Sequence, residues 1–122
     1  MKFIANSGLP IFMQISNSIE EDILMGIYGD EMQIPSTTEI SVGYKINPAT
    51  VLKGINILVD QNILYKKRGV GMFVTNGARS LIKEKRIRSF NSDFIRPMVN
   101  EARRLSFSKN YIIEIIKKEE IN

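Results

Sequence analysis

Two clusters in the chain carry side chains suited to gripping a polyanion. Asn47-Pro48-Ala49-Thr50 sets an amide, a methyl and a hydroxyl within one helical turn, and Lys53 follows about a turn later. Lys66-Lys67-Arg68-Gly69 places three cations ahead of a residue that turns freely. Asn47 and Thr50 can hydrogen-bond phosphate or base edges, Ala49 can meet a thymine methyl, and Lys53 suits phosphate or guanine. Arg68 suits a minor groove, whose negative potential favours arginine. Ser36 and Thr37 stand at another helix start, where free N–H groups attract phosphate. Each has a plainer use as well. Asn is a preferred helix cap, Ser36 belongs to a capping pattern, and charge on a hairpin protects its edges from aggregation.

Composition narrows the chemistry further. The 122 residues include neither Cys nor His. That excludes a disulfide, a thiolate nucleophile, a Cys/His zinc site and a Ser-His-Asp triad. No phosphate loop or metal-ligand spacing is visible. Glu20, Glu21 and Asp22 are consecutive, so they diverge around a helix rather than converge. An enzyme is not expected, nor a catalytic residue, a cofactor or a metal site. Hydrophobic residues at 43% and charged residues at 25% mark a folded globular protein. No apolar run approaches the ~18 residues of a membrane span, and Met1-Lys2-Phe3-Ile4-Ala5 does not open a signal peptide. A cytoplasmic protein without a membrane partner is the expectation.

The net charge of +4 conceals a segregation. Residues 1–43 hold six acids against one base, residues 44–75 hold five bases against Asp60, and residues 76–122 hold eleven bases against six acids. A basic middle beside an acidic start suits an anionic partner.

The elements that must position these clusters follow from periodicity. Ile11, Ile15, Ile19 and Ile23 recur every four residues, so a helix is expected from about Pro10 to Met25, stopped by Gly26 and Gly29. Ser36-Thr37-Thr38-Glu39 reads as a capping box opening a short helix to Gly43, with Ile40 turned inward. Asn47-Pro48 is a strong start signal for a third helix, to about Gln61, with Val51, Ile55, Leu58 and Val59 as its buried stripe. Gly54 inside that helix costs about 1 kcal/mol relative to Ala, which implies close approach of another backbone. The period then shortens. Ile63–Lys67 and Met72–Thr75 are strand-like runs, and the glycines of Arg68-Gly69-Val70-Gly71 permit a tight hairpin tip. Three helices and a hairpin, in that order, form a winged helix-turn-helix. After Asn76 the helical period returns through Ile87, Phe90, Phe94, Met98, Ala102 and Leu105, with a kink or break expected near Arg96 because of Pro97, and Asp93 placed to cap a restart. Ser108 is placed to cap a last helix bearing Tyr111, Ile112, Ile115 and Ile116. The expected class is α+β and mostly α, with a winged helix-turn-helix over residues 1–75 and a short helical tail over residues 76–122.

Several stretches resemble the GntR family of bacterial transcription regulators, and within it the YtrA subfamily. Leu9–Ile15 resembles the family's opening, and Ile34-Pro35-Ser36-Thr37-Thr38-Glu39-Ile40 resembles its L-P-S-x-R-E-L element. Asn47–Val51 with Lys53 is similar to the start of the YtrA-type recognition helix, and Arg68–Val74 to the R-G-x-G-T-F-V wing. Phe94–Pro97 and Glu101–Leu105 resemble the compact YtrA-type tail. The resemblance implies a dimeric repressor that binds a palindromic operator in double-stranded DNA and is commonly encoded beside ABC-transporter genes. Thr38 stands where the family usually has Arg, Leu52 where many members have a basic residue, and Lys45 where Gly is usual. Thr38 and Leu52 each remove a contact, and Lys45 and Lys53 restore charge at other angles. Phe90, Phe94, Met98, Ile112, Ile115 and Ile116 are candidates for a subunit interface, since two-fold symmetry matches a palindrome; the alternative is that they cover the winged domain of their own chain. No pattern identifies a small-molecule effector. A winged-helix protein-interaction module that does not bind specific DNA is the alternative function.

Overall fold

The computed structural model describes residues 8–120, so the opening Met1–Ala5 segment lies outside the described residues. The chain divides into two compact units, one up to Glu84 and one from Lys85 onward.

The first unit contains α1 (Ile11–Leu24), α2 (Thr37–Tyr44), α3 (Pro48–Asp60), β1 (Leu64–Lys67), β2 (Gly71–Val74) and the first turns of α4 (Ala78–Phe90). Ile15, Ile19 and Ile23 of α1 and Val51, Ile55 and Leu58 of α3 are buried, as their spacing requires. They share one core with Ile34, Ile40, Ile63, Leu64, Val74, Ala78 and Ile82. Ala78 and Ile82 lie beyond the hairpin, so the start of α4 helps to seal the winged unit. Gly54 does what its helix position implies. A Cβ there would lie 2.5 Å from the Phe12 carbonyl oxygen and 3.1 Å from Ile15 Cβ, so α1 and α3 meet backbone to backbone.

The hairpin pairs Leu64 with Val74, Tyr65 with Phe73, Lys66 with Met72 and Lys67 with Gly71. Its tip closes by the Val70 N–H donating to the Lys67 carbonyl at 2.9 Å, with Gly69 at a φ of 77°. One feature of the sheet is not evident from the sequence. Residues 31–34 run beside β2: the Glu31 and Ile34 N–H groups donate to Val74 and Met72 carbonyls, and the Val74 N–H donates to the Met32 carbonyl. A bridge joins Gln33 to Phe73. The run is too short to show a period, and Pro35 ends it at once.

The second unit holds the end of α4, a π-helical turn (Asn91–Ile95), α5 (Arg96–Arg104) and α6 (Lys109–Lys118). The expected break before Pro97 takes the form of that π turn. A proline cannot donate to the carbonyl four residues back and its ring collides with it. The extra residue of the π turn relieves the collision, and the Arg96 N–H donates to the Asn91 carbonyl instead. The helical path therefore continues, and Asp93 does not act as a cap: Ile95, which precedes α5, is itself helical and caps through no side chain. Ser108 does cap α6, accepting from the Tyr111 N–H at 3.1 Å.

Candidate nucleic-acid interface

The start of α2 is closed by its capping box. The Glu39 N–H donates to Ser36 Oγ at 3.0 Å, and the Ser36 N–H donates to Glu39 Oε1 at 3.2 Å. Ser36 and Thr37 are half-buried and Thr38 is exposed. Ser36 and Glu39 thus hold the helix first, and the hydroxyls of Thr37 and Thr38 flank its N-terminus.

The turn between α2 and α3 is tight. Lys45 ends α2 in the left-handed conformation, at φ 56° and ψ 47°. The Ser41 hydroxyl donates to the Ile46 carbonyl at 2.6 Å, and the Ile46 N–H donates to the Ser41 carbonyl at 3.0 Å. These bonds set the angle at which α3 leaves. Asn47 caps it, its Oδ1 accepting from the Ala49 N–H at 2.8 Å, with Pro48 at the first helical position. Pro48 and Ala49 are exposed and Thr50 is half-buried. Lys45, Asn47 and Thr50 come together with Tyr44, Ile46 and Ile11 around a depression of about 390 Å³. Lys53 is exposed, but its ammonium lies 4.1 Å from the centre of the Phe12 ring on α1, which draws it away from the helix tip.

Lys66, Lys67, Arg68 and Gly69 are all exposed at the end of the hairpin. The Lys67 ammonium sits 4.2 Å over the Phe73 ring and 5.9 Å from that of Tyr65, and the two rings stack at 5.8 Å. The Tyr65 hydroxyl donates to Glu31 Oε2. That bond, followed by desolvation and the carboxylate's charge, holds the Tyr65 phenol above its ordinary pKa. Gln33 is a residue the sequence did not single out. Its Nε2 donates to the Val70 carbonyl at 3.0 Å, and a Cβ on Gly71 would lie 2.5 Å from that same atom. Gln33 therefore braces the hairpin tip against the loop before α2, and Gly71 makes room for it. Only the Gly71 of the tip motif hinted at such a contact.

In the second unit, Phe90, Phe94, Met98, Ile115 and Ile116 are exposed, Phe94 at 64%, and Ile112 is half-buried. Phe90 and Phe94 touch each other, with ring centres 5.6 Å apart. Met98, Ile112, Ile115 and Ile116 line an apolar cleft of about 290 Å³ between α5 and α6. Ala102 is the one buried residue of this unit among those described. No group of three or more His, Cys, Asp or Glu residues able to hold a metal occurs among the described residues, and none of the described helices is long and apolar enough to cross a membrane.

Residues 13–74 match the bacterial regulatory proteins of the gntR family. The chain is 32% identical over 68 residues to the HTH-type transcriptional regulator YurK of Bacillus subtilis, covering 56% of this chain and 28% of that protein. It is 31% identical over 78 residues to the HTH-type transcriptional repressor YtrA of the same organism, covering 64% of this chain and 60% of YtrA. The chain thus spans less than two thirds of the length of either. Among solved structures, a transcriptional regulator of the GntR family from Bacteroides thetaiotaomicron superposes with a TM-score of 0.71 at 33% identity, over 89% of this chain and 95% of that one. The AraR DNA-binding domain in complex with operator ORX1 superposes at 0.55 and 28% identity, over 62% of this chain and 90% of that one. YurK, YtrA and the Bacteroides protein carry the names of transcriptional regulators or repressors. The winged helix-turn-helix and the matched residues agree: the chain belongs to the GntR family of bacterial regulatory proteins, and its likeness to YtrA supports a place in the YtrA subfamily.

Proposed function

We propose that the chain is a homodimeric, sequence-specific DNA-binding regulator that represses a transporter operon from the cytoplasm. The observation that carries this reading is the exposed first turn of α3, capped by Asn47 and sharing one depression with Lys45 and Thr50. In a helix-turn-helix that turn is the part that enters the major groove. Pro48 and Ala49 bring the backbone close to base edges, Thr50 and Lys45 meet phosphate, and Lys53 reaches the backbone from the side of α1. Ser36, Thr37 and Thr38 at the start of α2 position the unit on phosphate, and Lys66, Lys67, Arg68 and Gly69 carry the wing along the adjacent groove. AraR's domain in its operator complex has a related fold.

The tail supplies the second half of the proposal. A unit of short helices that leaves Phe90, Phe94, Met98, Ile115 and Ile116 exposed holds more apolar surface than a monomer readily keeps in water. A second copy covering it yields a two-fold dimer, which reads a palindrome. Repression and the transporter target rest on the likeness to YtrA-type regulators.

The test is binding to duplex DNA from the region upstream of the gene, measured against salt. Neutralising several phosphates makes log K fall steeply with log salt, by about 0.9 per phosphate contacted. A flat slope, or equal affinity for a scrambled duplex, refutes the specific-regulator reading and favours a protein-interaction module.

A further inference from the structure

The outer face of α3 carries an unusual set of side chains for a helix that enters DNA. Ala49, Leu52 and Asn56 are all exposed and follow at i, i+3 and i+7, so they line one side of that face. Leu52 is 42% exposed although it is a large apolar side chain. Lys53, its neighbour, is drawn toward the Phe12 ring, at 4.1 Å. The side chains offered along this stripe are thus a methyl, an isobutyl group and a carboxamide, with no cation or carboxylate among them.

Each edge in the major groove asks for a particular partner. Guanine presents two acceptors and cytosine a donor, so an apolar group placed against a G·C pair leaves those groups dry and unpaired. Thymine presents a C5 methyl, which an apolar side chain covers with gain. Adenine is the base whose N6 and N7 match a carboxamide such as that of Asn56. A lysine or arginine in place of Leu52 would favour guanine; leucine does the opposite.

We infer that Leu52 is a specificity-determining residue that reads a thymine methyl in each half-site, with Ala49 extending the same apolar surface. This rests on the proposed DNA-binding function. Its consequence is that each half-site holds an A·T pair recognised by its methyl group rather than by a hydrogen bond.

The experiment begins with the full chain selecting sites from a random duplex pool. Each thymine of the selected half-site is then replaced singly by deoxyuridine, which removes the methyl and leaves the Watson–Crick pair. Wild type is expected to lose about fourfold in affinity per half-site at one position, the loss of one buried methyl or about 0.8 kcal/mol. Leu52→Ala is expected to bind thymine and uracil duplexes equally at that position, with its thermal midpoint unchanged because Leu52 lies outside the core. Leu52→Arg is expected to select guanine there. If wild type binds a selected site but is indifferent to every uracil, or if Leu52→Ala keeps the full uracil penalty, the inference is overturned while the DNA-binding reading stands. If no sequence is enriched over the input pool, the DNA-binding reading itself falls, and the inference with it.

Discussion

Lys45 offers a way to separate stability from DNA affinity at one residue. It closes α2 at φ 56° and ψ 47°, a conformation that costs a residue with a Cβ roughly 1–2 kcal/mol. Glycine adopts it freely but gives up about 0.5–1 kcal/mol more backbone entropy on folding. Lys45→Gly is therefore expected to stabilise the winged unit by about 0.5–1 kcal/mol, which raises the thermal midpoint by roughly 3–6 °C for a domain of this size. The same substitution removes a cation beside Asn47 and Thr50. If Lys45 meets one phosphate per subunit, the slope of log K against log salt becomes shallower by about 1.8 for the dimer. Lys45→Ala completes the design, because it loses the charge but keeps the strained backbone. Thermal unfolding by circular dichroism and fluorescence anisotropy across a salt series read the two effects independently. The expected pattern is a stabilised Gly variant, an Ala variant no more stable than wild type, and the same reduced slope in both. Equal midpoints for Gly and Ala would refute the claim of stored backbone strain, and an unchanged slope would refute the phosphate contact.

Four further predictions concern the rest of the molecule. Gly54→Ala should lower stability by about 1–3 kcal/mol, read as a lower thermal midpoint, because the new Cβ meets the Phe12 carbonyl oxygen at 2.5 Å and that overpacking outweighs the gain in helix propensity. Arg68→Ala should weaken duplex binding without changing the oligomer seen in sedimentation, since Arg68 is exposed at the hairpin tip. Phe94→Glu should convert the proposed dimer to monomers in sedimentation while the helical signal is kept, because a charge would be buried where Phe94 now stands exposed. Burial foremost, then the Asp22 carboxylate and Tyr44, hold the Tyr28 phenol above its ordinary pKa, so the folded state retains that proton longer than the unfolded chain. Its contribution to stability is complete below the unfolded value of about 10 and is lost as pH rises through the folded one, so chemical denaturation of Tyr28→Phe should show a weaker alkaline loss than wild type.

Much of the fold was legible because local chemistry and tertiary packing agree. The Ser36–Glu39 box, the Asn47-Pro48 start and the Ser108 cap satisfy orphan N–H groups whatever the rest of the chain does, so their residue types speak directly. Gly54 was legible for the opposite reason, since a helix-weakening residue needs a compensating contact. The pairing of residues 31–34 with β2 was hidden, because four residues show no period and their partners lie about forty positions away. The π turn before Pro97 was legible only as a disturbance, since a proline announces a conflict in the helix but not how the backbone resolves it. At the candidate interface, residue types identified the charges but not their directions. Lys53 and Lys67 turn toward aromatic rings supplied by other elements, and Gln33 braces the wing from a loop with no motif of its own. Leu52, which by type alone looks like a missing contact, gains its proposed role only beside the exposed Ala49 and Asn56 and the Lys53 ammonium held against Phe12.

In the proposed function, two copies of this chain together read a symmetric DNA site. Hydroxyl-radical footprinting of the selected duplex tests it most directly, since it maps every protected sugar on both strands. The expected footprint has two equivalent patches related by a two-fold axis, with half-sites about one helical turn, 10–10.5 base pairs, or a multiple of that apart. Mutating one half-site should then abolish protection of both. A single asymmetric patch, or protection that spreads evenly along the duplex, would contradict it.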